Sequence, residues 1–441
     1  MMFSSFHTQQ LEHAVLHGCV TLLLNPMVYV GSFLAVWELL RNAKAERKFF
    51  GIRLTKVRGP ILRQLVLGIV VGLVLSVLLS VAGAMVTERE IWVVTVISLL
   101  LALIRVRFFQ IQYAVGLLTL CHVAIRYIHL PHMAFLPAVS SFLREFHSAS
   151  WLAVASGAGL ASAVLLRLNR RTGAAPAVVL GKRGGTMGAF VVQLSFLSAV
   201  FLPVPGSDVV LEKMNTGWPW LASAVGGLSL ACIPLFTGIS ALFTSQRPME
   251  GIRRVARWNL LTGLLLAGCA GLTVRLDVVG SCVGAMLCIG IQELLSWWIE
   301  RREQRRDSLF SASKLGVKVL DTIRGSVAHA MGLLPGEVIT HVNQVPVHST
   351  YDLHFAFEQN PVYAKLQVLD LRGEVRFVGK PVYEGERHQL GIIFAPDTNG
   401  GFGYHWMKAG LFQSLYLHIL PATQTREVWS DTGARMSGET P

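Results

Sequence analysis

Charge is scarce in this chain, and what there is has one prevailing sign. Only 15% of the 441 residues are Asp, Glu, Lys or Arg, against 52% hydrophobic ones. Long uncharged runs on that background exclude an ordinary soluble globule and predict an integral membrane protein. Cysteine is sparse as well: Cys19, Cys121, Cys232, Cys269, Cys282 and Cys288 all sit in apolar runs with no CxxC pair. That excludes a disulfide framework and a thiolate metal site. The first thirteen residues contain no Lys or Arg, so no cleaved secretory leader is expected and the first apolar segment is expected to stay.

The motifs of intramembrane proteolysis are missing too. A zinc protease needs His-Glu-x-x-His to set two ligands and a base on one helix face, and the chain contains no His-Glu dipeptide. Gly-x-Ser-Gly and Gly-x-Gly-Asp are likewise absent. No enzyme, cofactor or metal is therefore expected. Glu293, beside Gln292, and Glu38 are the acidic groups within apolar runs that a transporter reading would use. Both lie toward basic ends, where snorkelling or pairing with arginine accounts for them. Gln110, Gln112 and Gln193 suit hydrogen bonds between helices. His122, His129, His132 and His147 gather near one loop, but Pro131 breaks the helix face between the middle two and no carboxylate or thiolate completes a metal set.

What is present is a polytopic α-helical membrane bundle over residues 1–300, of about eight to ten spans. Candidate spans run near 20–40, 65–86, 91–104, 108–125, 151–166, 187–205, 218–243, 258–274 and 278–299. Asn25-Pro26 interrupts the first, and Arg105-Val106-Arg107 leaves the third and fourth open to being one kinked element. Alternate connections hold 23 Lys and Arg against five, a positive-inside bias that predicts cytoplasmic placement of the basic loops and of everything after residue 300. With nine spans the N-terminus is outside. The densest stretch, Arg41, Lys44, Arg47, Lys48, Arg53, Lys56 and Arg58 with Phe49-Phe50, reads either as a topology-setting loop or as a docking patch for anionic lipid. The net charge of +13 needs no nucleic-acid partner, and no nucleic-acid-binding motif is present.

After a basic linker, 301–314, the pattern changes to period two. Val317, Val319 and Ile323 alternate with polar residues, a short helical turn ends at Gly332, and Val338, Ile339 and Val342 form the next strand before Asn343-Gln344. Ser349-Thr350 opens a helix, and strands follow at 364–369, 375–378 and 390–394. Residues 315–396 thereby resemble a small α+β PDZ domain of the bacterial, circularly permuted type. The resemblance implies a groove in which an extended peptide adds as a strand and a Leu-Gly-hydrophobic loop holds its carboxylate. Leu390, Gly391, Ile392 and Ile393 fit that loop, with His354 and Phe357 lining the groove from the helix. Leu315-Gly316-Val317 fits the same pattern, Gly391 reads equally as the start of a core strand, and either helix residue reads also as surface or core. Residues 397–441 form a tail, with Tyr404–Leu420 amphipathic and the end disordered.

Three stretches carry a wider resemblance: Leu24-Asn25-Pro26, the basic run from Lys44 to Gly51, and Lys365–Glu374 continuing through Tyr383–Gly391. With the overall layout they resemble the MinJ family of Gram-positive rod-shaped bacteria. That resemblance implies a membrane adaptor in division-site selection, joining a DivIVA-like polar and septal protein to the Min inhibitor through a MinD-like ATPase. It implies enrichment at septa and poles. Two other classes stand beside it: an accessory scaffold of a membrane protease or stress-signalling complex, and a transporter with a regulatory domain.

Overall fold

The structure, a computed structural model, describes residues 2–50, 58–126, 136–170, 173–180, 186–209, 228–383 and 390–396. The first part is a set of apolar helices around a long antiparallel sheet, and the second is a small α/β module with its own core.

Helices α1 (Met2–Leu24) and α2 (Pro26–Phe50) meet at a 58° bend. Pro26 lacks an N–H and fits the first position of α2. Asn25 holds the corner: its Oδ1 accepts from the Met27 N–H at 3.0 Å and its Nδ2 donates to Thr95 Oγ1 at 3.0 Å. Next come α3 (Arg58–Val81), α4 (Glu88–Ile104), a 3₁₀ turn at Val106–Phe109, α5 (Ile111–Ile125), α6 (Leu136–Glu145) and α7 (Ser148–Asn169). The break at 105–110 makes α4 and α5 two helices. Alanine, serine and glycine let α7 sit at the centre; a Cβ on Gly159 would come within 3.1 Å of Gly263 Cα.

Helix α8 (Pro248–Arg305) reverses at Leu276 and Asp277, whose backbone angles leave the helical region. Its two arms run back along each other. Trp258 and Trp298 stack edge-to-face with centroids 6.0 Å apart, and Glu303 accepts from the Thr244 and Ser245 N–H groups at 2.9 Å. The arms coincide with the spans expected at 258–274 and 278–299, and an ion pair from Arg126 to Asp277 ties down the reversal. Helices α3, α7 and α8 are long and apolar enough to cross a membrane, and α1 with α2 qualifies as one broken span.

The expected helical spans at 187–205 and 218–243 are corrected. Strands β1 (Ala174–Leu180), β2 (Thr186–Val209) and β3 (Leu228–Phe243) form an antiparallel sheet in that order, and residues 218–227 lie outside the described ones. A strand buried on both faces is as uniformly apolar as a membrane helix, so hydropathy alone does not separate them. Proline does. Phe201 N–H points away from β3, so two-residue alternation aims Pro203 and Pro205 the same way; Pro234 likewise follows Cys232, whose N–H points away from β2. Each proline thus stands where the sheet asks for no donor.

Both outer edges of this hairpin are covered. Ser76 of α3 accepts from Phe201 N–H at 2.8 Å, and Thr21 of α1 accepts from Cys232 N–H at 3.0 Å. Gly68, Gly72 and Ser76 share one face of α3. A Cβ on either glycine would sit 2.2–2.3 Å from the carbonyl oxygen of Leu197 or Ala199, so only glycine lets the helix lie on the strand backbone.

The module contains β4 (Val317–Thr322), α9 (Val327–Ala330), β5 (Val338–Val342), β6 (Val345–Pro346), α10 (Thr350–Glu358), β7 (Tyr363–Leu369), β8 (Val375–Pro381) and β9 (Ile392–Phe394). Sheet order is β8-β7-β5-β4-β9, with β6 on β5. Local chemistry sets its corners. Asn343 and Gln344 both take positive φ in the β5–β6 turn, and Ser349 and Asp352 close a capping box at α10. Helix α8 runs on through Arg305, into the expected linker.

Candidate functional site

Strand β9 ends the sheet: β4 occupies one side, and no strand pairs with the other among the described residues. Helix α10 flanks that open side, with the His354 ring 6.2 Å from the Phe394 ring in a T-shaped arrangement. An open strand edge facing a helix is the geometry for capturing an extended chain by strand addition.

Gly391 sets the entrance. Its φ of +75° suits glycine, and a Cβ there would lie 2.2 Å from the Ser326 Cβ. Its carbonyl accepts from Ile323 N–H at 2.8 Å, and the Leu390 carbonyl accepts from Ala328 N–H at 3.0 Å, so this loop is held against α9. The alternative loop is placed otherwise. Gly316 opens β4, a strand flanked by β5 and β9, and its Cβ position abuts the Ile339 carbonyl.

The six expected groove residues divide. Ile392 lies on β9 and His354 on the helix beside it, while Gly391 is buried ahead of β9 with its carbonyl bonded to Ile323 N–H on the β4 side. Leu390 and Phe357 are buried in the module core, Phe357 with only 5% exposed. It continues the inward stripe of Leu353 and Ala356, which turns it from the groove. Ile393 faces the opposite way from its neighbours, as strand alternation requires, and packs with Phe190, Phe310 and Leu320. Phe394, two positions beyond Ile392, lies on the same face as Ile392 and meets the His354 ring.

Ile393 belongs to a seam between module and membrane part. Phe50 from α2 joins that cluster, Gly188 N–H donates to the Phe310 carbonyl at 3.0 Å, and Arg247 Nε donates to the Pro335 carbonyl at 3.0 Å. Burial pushes the Asp321 carboxyl up to about 6; Glu46 adds to the rise, while the Thr322 N–H, Arg324 and His329 oppose it. The basic stretch on α2 approaches this seam. Lys44 and Arg47 are exposed and Arg41 is half-buried; Arg53 and Lys56 lie outside the described residues, as do the side chains of Lys48 and Arg58.

Most of the remaining polar candidates are engaged structurally, but Gln193 stands on strand β2 and not on a helix, and its buried Oε1 has no partner among the described residues. Glu293 pairs with Arg107 and accepts from Tyr113 Oη at 3.0 Å, and Glu38 accepts from Ser195 Oγ. Gln110 donates to the Gly238 carbonyl at 2.9 Å and Gln112 to that of Ala155 at 3.1 Å. His147 donates to buried Glu90, which also accepts from Trp151 Nε1, joining the starts of α4 and α7. A second contact, between the His147 ring Nδ1 and the same carboxylate at 3.0 Å, raises the His147 pKa against burial, which lowers it. His122 contacts the Leu143 carbonyl, and His129 and His132 lie outside the described residues. No cluster of three or more His, Cys, Asp or Glu suited to a metal occurs among the described residues.

Among curated proteins, the chain is similar to the cell division topological determinant MinJ of Bacillus subtilis, 32% identical over 224 residues, which is 50% of this chain and 55% of that protein. It is also similar to the probable MinJ proteins of Lacticaseibacillus paracasei and Lacticaseibacillus casei, each 26% identical over 270 residues, 60% of this chain and 71% of theirs. The chain thus spans about half the length of the Bacillus relative. No protein-family model matches it. The resemblance to MinJ proteins is therefore carried by sequence over half or more of this chain.

Proposed function

We propose that the chain is a non-enzymatic membrane adaptor in division-site selection, whose module works as a PDZ-type receptor on the cytoplasmic face. The observation that carries this reading is the open edge of β9 beside α10, in a module seated against the basic end of a membrane domain. The similar proteins are named as division topological determinants, which favours that process over proteolysis or transport. The engagement of Glu293 by Arg107 and Tyr113 removes the clearest group a transport path would use. DivIVA-like and MinD-like proteins are the proposed partners. The exposed cations of α2 supply a second, charge-selective contact to anionic lipid or to those partners. Restriction to one membrane lets such weak contacts act together through raised effective concentration.

A fluorescent fusion is expected to concentrate at septa and poles, and deletion to give filaments or minicells. His354→Ala removes the ring that stands against Phe394 beside the open edge, so septal enrichment should fall while membrane abundance stays level. Uniform membrane fluorescence with normal division would sink the proposal.

A further inference from the structure

The two arms of α8 bring together a cluster that the groove does not use. Arg302 lies 5.1 Å over the Trp298 indole, and Arg254, from the other arm, reaches the same ring at 6.0 Å. Trp258 meets that ring edge-on, and Arg301 covers the adjacent Trp297 at 5.1 Å. Arg254 also feels the charges of Arg302, Arg306 and Arg257, with Glu250 opposing them. Glu303, on the second arm, is already committed to the Thr244 and Ser245 N–H groups and to Gln246 at 2.8 Å. Arg254 keeps a hydrogen bond to Gln246 Oε1 at 2.7 Å, while the buried Nε of Arg302 has no acceptor among the described residues.

Guanidinium groups gathered in this way repel one another unless an anion joins them. The surface beyond them says which kind. Towards the reversal, Leu261, Leu265 and Leu294 are each at least half exposed, so the cations stand at the rim of open apolar surface, with indole rings between. Charge, aromatic ring and then aliphatic surface is the order met by a phospholipid headgroup, its ester region and its acyl chains.

We propose that the basic ends of the α8 arms form a headgroup cradle for an anionic phospholipid, with Arg254 and Arg302 as the phosphate ligands and Arg257 and Arg306 adding charge. A two-phosphate lipid such as diphosphatidylglycerol matches four guanidiniums better than a single phosphodiester does. The site is separate from the α2 cations and independent of peptide capture by the module.

The test uses the purified full-length chain in detergent, titrated with diphosphatidylglycerol, phosphatidylethanolamine or inorganic phosphate and read by native mass spectrometry. Diphosphatidylglycerol should bind most tightly, and the Arg254→Gln, Arg302→Gln double variant should lose about tenfold or more, from about 1 kcal/mol per basic residue. The Arg254→Lys, Arg302→Lys double variant should lose less, and Arg372→Gln, at an exposed site in the β7–β8 turn of the module, should change nothing. Equal loss in Arg372→Gln would reduce the effect to total charge and overturn the cradle. So would equal loss in the Lys variant, equal binding of phosphatidylethanolamine, or displacement of the lipid by phosphate.

Discussion

The same chain treats two strand edges in opposite ways. In the membrane domain, β2 and β3 expose edges to helices that seal them: Ser76 and Thr21 accept the outward N–H groups, and prolines occupy positions where a donor would be stranded. In the module, β9 is left without a strand partner on one side, and α10 stands off at ring-contact distance from Phe394. Apolar surroundings supply no water for a free amide, so an edge there must be satisfied from within. Beside water an open edge is sustainable, and it invites pairing. The module's other end strand, β8, is open too; what sets the β9 edge apart is helix α10 beside it, which is why it bears the functional proposal.

Breaking the seal is expected to have the largest effect. Gly72→Val drives a side chain onto the Ala199 carbonyl, 2.3 Å from where its Cβ would lie, and should cost about 3 kcal/mol or more, the upper range for overpacking. The readout is the thermal midpoint and folded yield of the detergent-solubilised chain. Wild-type values would show that α3 does not lie on β2. Ser76→Ala leaves space intact and strands only the Phe201 N–H, so a smaller loss is expected, about 1–3 kcal/mol for an unsatisfied buried donor. Amide exchange at Phe201 should rise with it; unchanged protection would mean another acceptor serves that edge.

Much of this contrast was hidden in the sequence, for a physical reason. The helices were legible where length and composition allow one reading, as in α3, α7 and the α8 arms. The module was legible because its corners carry local chemistry: a Ser349–Asp352 box, an Asn343-Gln344 turn, and a glycine at 391. The β2–β3 hairpin was not, because full burial erases the polar alternation that marks a strand. Its remaining signal was proline at 203, 205 and 234 within apolar runs, together with the Gly68, Gly72 and Ser76 spacing of the helix that covers it. On α10, the expectation that Phe357 faces outward failed because helical neighbours on adjacent faces look alike until the core fixes the rotation.

The smallest expected effect lies at the seam joining the two regions. Burial holds the Asp321 carboxyl at about 6 in the folded chain, with Glu46 of α2 reinforcing the rise and Arg324 and His329 opposing it. Unfolding releases the group to the ordinary aspartate range near 4, so the folded state binds the proton more tightly. Stability from this group is full below that range and is lost as pH rises toward 6. At neutral pH the seam therefore carries an unfavourable buried charge. Asp321→Asn removes it and still offers an oxygen to the Thr322 N–H, which Asp321 Oδ1 accepts at 2.8 Å. After allowance for solvent screening, the variant should be about 1 kcal/mol more stable than wild type at pH 7.5 and nearly equal at pH 4. Thermal midpoints of the full chain at the two pH values measure this. A gain that is the same at both would show that Asp321 does not titrate within the seam, and that the module is held there by the Phe190, Phe310, Leu320 and Ile393 cluster without an electrostatic cost.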